Sequence, residues 1–167
     1  MPSEIAKKRT ALFIKKYGVD IAKAIQGTGL FFEAVVAQKC GESAYGTSRL
    51  AKEANNFGGI KNFGRLSGAI GTTKSGFAIF RTPYDCFLVY VRQLQSPTKK
   101  YTRNGVFTAK SPEEQIKIMV KSGYDVTPPE KYLRLCQSAI DATRIICPVG
   151  RVDNFLAIQN RIENLQV

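Results

Sequence analysis

Between residues 62 and 82 the chain loses the helical rhythm that runs through the rest of it. Gly64, Gly68, Gly71 and Gly76 fall among Ile70, Phe77, Ile79 and Phe80, turn residues and apolar side chains in a pattern that predicts a small β-hairpin. On both sides of it apolar residues recur at helical spacing. A short β insertion stands out from a helical body as a lobe, and the angle between the two makes one wall of a cleft. The fold class expected is α+β, mainly α, with a hairpin lobe over about 62–82 bordering a cleft.

Residues 3–17 read as a helix with Ser3 as N-cap, followed by a second short helix over 18–25. In 30–40, Leu30, Phe31, Ala34 and Val35 predict a largely buried helix ending near Gly41, with Glu33 and Lys39 pointing elsewhere. A helix over 47–54 is stopped by Asn55, Asn56 and the Gly58-Gly59 pair, residues that tolerate left-handed backbone. Helices resume over 83–95, 111–121 and 129–146, and Ser111-Pro112-Glu113-Glu114 supplies a cap, an N1 proline and an acidic first turn. Residues 96–109 read as a basic loop and 153–165 as a last helix. The whole, 1–167, is expected to be one domain, with 147–167 as a helical extension.

The chain contains no histidine, so no Ser-His-Asp triad, Cys-His pair or histidine-bound zinc can be built from it. Acid-base work falls to carboxylates, tyrosines or lysines. The formal charge of +12 implies an anionic partner, for which nucleic acid, an acidic membrane surface and peptidoglycan all qualify. Cys40, Cys86, Cys136 and Cys147 form no C-x-x-C pair and read as buried free thiols. No apolar run approaches the ~20 residues of a membrane span, and Lys7, Lys8, Arg9, Lys15 and Lys16 break up the start, so neither a span nor a secretory signal is expected. No cofactor and no metal are expected either.

Glu42 is chemically awkward. It follows an apolar run at a helix C-terminus, where the dipole disfavours a carboxylate, and partial burial acts in the same direction. Such a setting suits a proton donor, although a solvent-facing glutamate beyond the helix fits these features as well.

The residues from Ala37 to Lys61 contain A-Q-x-x-x-E-S-x-x-G-x-S-x-L-A-x-x-A-N-N-x-G-G-I-K. This run resembles the bacterial peptidoglycan glucosaminidase family of flagellar hydrolases, autolysins and phage lysins, with Gly58 where that family usually has Phe. Phe80-Arg81-Thr82-Pro83-Tyr84-Asp85 and the segment Ser122 to Tyr132 are similar to further family segments, so the resemblance covers about 18–146. It implies a lysozyme-like fold and hydrolysis of the β-1,4 bond after N-acetylglucosamine in peptidoglycan glycan strands. It also implies that Glu42 is the general acid and Tyr124 the active-site tyrosine. Tyr45 and Phe57 are candidate stacking platforms or packing. Asn56 is a candidate sugar contact or turn brace, and Asp125 a candidate substrate-binding carboxylate. Arg81 and Tyr84 are expected to brace the lobe.

Glycosidases usually carry a second carboxylate, ~5 Å from the acid for retention or ~6.5 to 9.5 Å for inversion. Residues 62–82 contain no Asp or Glu, so either Glu53, Asp85 or Asp125 turns into the cleft or the substrate's acetamido group takes part. Competing readings are a lytic transglycosylase, a catalytically dead wall-binding module and a basic nucleic-acid-binding protein, the last without a recognised module. Action on the cell wall, periplasmic or extracellular, is expected, with the export route and oligomeric state open and a phage-type lysin among the possibilities.

Overall fold

The computed structural model describes residues 1–64 and 66–167. Its helices are α1 (Glu4–Ile25), α2 (Phe32–Glu42), α3 (Arg49–Ala54), α4 (Pro83–Gln95), α5 (Pro112–Lys121), α6 (Pro129–Ile146) and α7 (Phe155–Glu163). Strands β1 (Ala69–Thr72) and β2 (Ala78–Phe80) pair antiparallel, with an irregularity between Ala69 and Gly71. The mainly helical α+β class with a hairpin lobe is as expected, although the strands occupy only part of 62–82.

The two short helices expected over 3–25 are one continuous helix, with Gly18 in its interior. The reason is tertiary: a Cβ at Gly18 would lie 3.0 Å from Ile14 Cγ2, 3.2 Å from Ile162 Cδ1 and 3.5 Å from Phe32 Cζ. The glycine lets α2 and α7 pack closely on α1, which outweighs its low helix propensity.

Helix α2 is the central element, buried from Phe32 to Cys40. The expectation that Glu33 and Lys39 point away is therefore wrong. With α1, α5 and α6 packed around it, α2 has no solvated face there, so its polar side chains need internal partners. Glu33 accepts from the backbone N–H groups of Val149 (2.7 Å) and Gly150 (2.9 Å), tying down the segment before α7. Gln38 accepts from the Tyr90 phenol at 2.5 Å.

One apolar cluster joins Phe13, Ile21, Phe32, Val36, Phe57, Phe87 and Ile162 beneath the lobe, and a second joins Ala34, Ile116, Cys136 and Ile140 under α5 and α6. All four cysteines are buried and free. The basic stretch 96–109 is partly internal: Tyr101 and Val106 are buried, while Lys99 and Lys100 are exposed.

Candidate active site

Glu42 is the last residue of α2, two residues beyond the fully buried stretch that ends at Cys40. Ser43 ends the helix by donating its hydroxyl to Lys39 O (2.5 Å) and accepting from Gly46 N (2.9 Å). Ala44, Tyr45 and Gly46 then turn back with positive φ, and Gly46 is needed because a Cβ would lie 2.7 Å from the Tyr17 ring. This reversal carries Tyr45 away from Glu42 to the α1 side, where Arg9 stands over its ring at 6.0 Å.

The Glu42 side chain is about one-fifth exposed and opens into a groove of about 420 Å³. The body contributes Lys39, Tyr90, Tyr124, Asp125 and Tyr132, and the approach to the lobe contributes Gly58 to Lys61 and Phe63. Tyr124 donates its phenol to Glu42 Oε1 at 2.6 Å, and the Tyr132 phenol reaches the same oxygen at 3.5 Å. The Lys39 ammonium meets Oε2 at 3.2 Å. The Glu42 carboxyl at this helix end is thus held on both oxygens.

Local backbone chemistry delivers Tyr124 there. Gly123 has φ +101°, its N–H bonds Val120 O and that of Tyr124 bonds Met119 O, so α5 closes in a Schellman turn that brings Tyr124 back over the helix end. Its ring packs edge-on against Tyr90, Tyr101 and Tyr132. Burial first, and the nearby Glu42 carboxylate second, push the Tyr124 phenol well above its usual range, so it remains a proton-bearing donor at working pH. The same two causes act on Tyr132 and Tyr90. Asp125 goes the other way: the Thr127 N–H at 2.8 Å holds its carboxyl below the usual carboxylate value, so it faces the groove as an anion.

The remaining candidate residues lie elsewhere. Phe57 is sealed in the core at 4.7 Å from Tyr17 and 5.2 Å from Phe87, which removes it as a stacking platform. Asn56 is buried and uses both ends internally. Its amide donates to Ile60 O and Ala78 O, each at 2.9 Å, and its oxygen accepts from Ile60 N at 3.0 Å. It is the brace between turn and lobe, and has no free group for a sugar. Asn55, left-handed at the end of α3, donates to Phe80 O at 3.0 Å and Arg81 O at 3.1 Å. Tyr84 lies under Lys23, 4.7 Å from ring centroid to ammonium, outside the groove lining. Glu53 pairs with Arg49 on an exposed face, and Asp85 bonds Thr82 at the start of α4. Among the described residues lining the groove, Asp125 is the carboxylate beside Glu42.

Sequence reasoning missed Lys39, Tyr132, Tyr90 and Phe63. Lys39 had a signal, since a residue three before Glu42 on a helix shares its face. Phe63 also had one: an aromatic between Asn62 and Gly64 in a turn has little to pack on, and it is 89% exposed.

The profile of the glucosaminidase family, described as mannosyl-glycoprotein endo-beta-N-acetylglucosaminidase, matches residues 19–144. No curated protein sequence matches the chain. Among solved structures it is similar to the glycoside hydrolase domain of Salmonella typhimurium FlgJ, with TM-score 0.65 and 21% identity over 81% of this chain and 89% of that one. The catalytic domain of the Listeria monocytogenes autolysin Auto gives TM-score 0.62 and 15% identity over 87% and 88%. A type VI secretion system effector-immunity complex from Pseudomonas protegens includes a chain with TM-score 0.62 and 20% identity over 80% and 93%. With most of its length matched by the family profile and this fold around the groove, the chain belongs to the glucosaminidase family and is a glycoside hydrolase.

Proposed function

We propose that this glycoside hydrolase cleaves the β-1,4 bond following N-acetylglucosamine in peptidoglycan, with Glu42 as the general acid. The observation that carries this is the placement of Glu42: at the bottom of an open groove, with Tyr124 fixing one carboxyl oxygen and Lys39 the other. Glu42 gives its proton to the glycosidic oxygen as the bond to the anomeric carbon breaks, and the departing sugar leaves as an alcohol. Water completes the substitution and returns a proton to Glu42. Asp125, held ionised in the same groove, supplies negative charge toward the developing cationic sugar. The +12 charge favours association with an anionic wall polymer, so the cell wall is the proposed place of action. No helix among the described residues is long and apolar enough to cross a membrane.

The test is mass spectrometry of products from purified peptidoglycan. Reducing N-acetylglucosamine ends support the reading. Anhydro-muramic ends would assign a lytic transglycosylase instead. Product stereochemistry, read with Asp125→Asn, separates a water-directing role for Asp125 from acetamido assistance by the substrate.

A further inference from the structure

We infer that Lys39 is a built-in positioning residue for the reaction, the cation that receives Glu42 as a carboxylate once its proton has gone to the leaving sugar. The inference rests on the reading of Glu42 as the acid and goes beyond it, because nothing in a general-acid role requires a lysine.

Three observations converge. The Lys39 side chain is 1% exposed, so its ammonium is almost wholly removed from water, and Glu42 Oε2 at 3.2 Å is the acceptor it reaches among the described residues. Beneath it lies the face of Tyr90, 3.6 Å from the ammonium to the ring centroid, and that ring is locked by its own hydrogen bond to Gln38. Above it is Gly58, where a Cβ would stand 2.9 Å from Glu42 Oε2 and 3.0 Å from Lys39 Nζ. The backbone at 58 is not left-handed, so the glycine is there for space around this ion pair and not for its conformation.

A lysine sealed this way is a poor stabiliser of the fold. Desolvation of both charges offsets the attraction, and an apolar side chain of the same volume commonly leaves a buried pair's fold as stable or more so. Its worth is in the reaction. As the Glu42 O–H hydrogen moves to the glycosidic oxygen, the carboxyl goes from neutral to anionic, and a fixed ammonium already at hydrogen-bonding distance meets that growing charge without reorganising. When water later gives its proton to Glu42, the pair returns to its starting state, so Lys39 neither gains nor loses a proton. Among the described residues, the other titratable groups around Glu42 are the Tyr124 and Tyr132 phenols, the Tyr90 phenol and the buried Cys86 and Cys136 thiols, with the Asp125 carboxylate and Lys61 also lining the groove. The Lys61 ammonium is held by Ser75 O and the Phe77 ring.

The experiment compares wild type, Lys39→Met, Gly58→Ala and Glu42→Gln on purified peptidoglycan across pH, with thermal midpoints for each. Lys39→Met keeps the volume and removes the charge; its midpoint is expected to equal or exceed wild type while kcat falls by roughly tenfold or more. The alkaline limb of its pH profile should move to higher pH, since the cation 3.2 Å from the Glu42 carboxyl is gone. Gly58→Ala keeps both groups but crowds their contact, and should move the limb in the same direction by less. Unchanged kcat and an unmoved limb in Lys39→Met overturn the inference. Should that variant fail to fold, an unmoved limb in Gly58→Ala overturns it. An inactive Glu42→Gln beside an unmoved limb sinks only the role of Lys39, whereas an active Glu42→Gln sinks the acid assignment itself.

Discussion

Tyr124 and Glu42, 82 positions apart in the sequence, are joined by a hydrogen bond of 2.6 Å in which the phenol donates to the carboxylate. The bond links the end of the central helix to the turn after α5, so two separately formed pieces of the chain meet at one carboxyl oxygen. Tyr124→Phe should keep the packed ring and lose only this bond. A hydrogen bond to a charged group is worth about 1.5 kcal/mol or more, which is about tenfold in rate. The expected result of steady-state kinetics is a kcat lower by about that factor with KM little changed.

Phe63 marks the lobe side of the groove and is 89% exposed, so it contributes little to the fold. Phe63→Ala should raise KM for glycan roughly three- to tenfold by removing an apolar platform, and leave the thermal midpoint where it was. A large loss of stability with unchanged KM would place Phe63 in the packing instead.

Asn56→Ala should behave in the opposite manner. Removing an amide that bonds Ile60 O, Ala78 O and Ile60 N takes three hydrogen bonds from a buried turn, with Ile60 O keeping only the Ala78 N–H at 2.8 Å, at a cost of about 1 to 3 kcal/mol. A urea midpoint reads this directly. Activity should fall with it, because the braced turn carries Gly58 and Ile60 into the groove.

How far these sites were legible in the sequence depended on whether their cause was local. The caps Ser3, Ser48, Thr82 and Ser111 act within a few residues, and the starts of the helices they cap were read to within about two residues. Gly18 was misread as a break because its partners, Phe32 and Ile162, are brought to it only by packing. Lys39 was turned outward on the general expectation for lysine, which fails on a helix surrounded on all sides. Glu42 was singled out by its place at a helix end and by the family pattern, and Tyr124 by the similar segment from Ser122 to Tyr132. The run from Ala37 to Lys61 also drew attention to Asn56, whose place in the pattern comes from the turn it braces, and to Tyr45 and Phe57, which stand at its variable positions and lie on the α1 side and in the core, away from the groove.

The Glu113–Arg144 pair ties α5, whose closing turn carries Tyr124, to α6, which bears Tyr132, through two bonds of 2.6 Å. The Arg144 guanidinium holds the Glu113 carboxyl down at about 2, below its ordinary 4.5. A depressed carboxylate contributes stability that is full above the ordinary value and is lost as pH falls through the depressed one. Both side chains are partly exposed, so Arg144→Met should cost roughly 1 kcal/mol at neutral pH. In thermal melts the gap to wild type should close between about pH 4.5 and about pH 2. A gap constant over that window would assign the loss to packing of the Arg144 stem.

The measurement that bears most directly on the whole account is the rate at which Glu42→Gln, folded to the wild-type thermal midpoint, releases reducing ends from purified peptidoglycan. The glutamine keeps the shape and the Tyr124 contact but has no acidic proton to give. The account predicts a rate lower by at least about a hundredfold, while wild type yields N-acetylglucosamine reducing ends. Release by Glu42→Gln at the wild-type rate would contradict it.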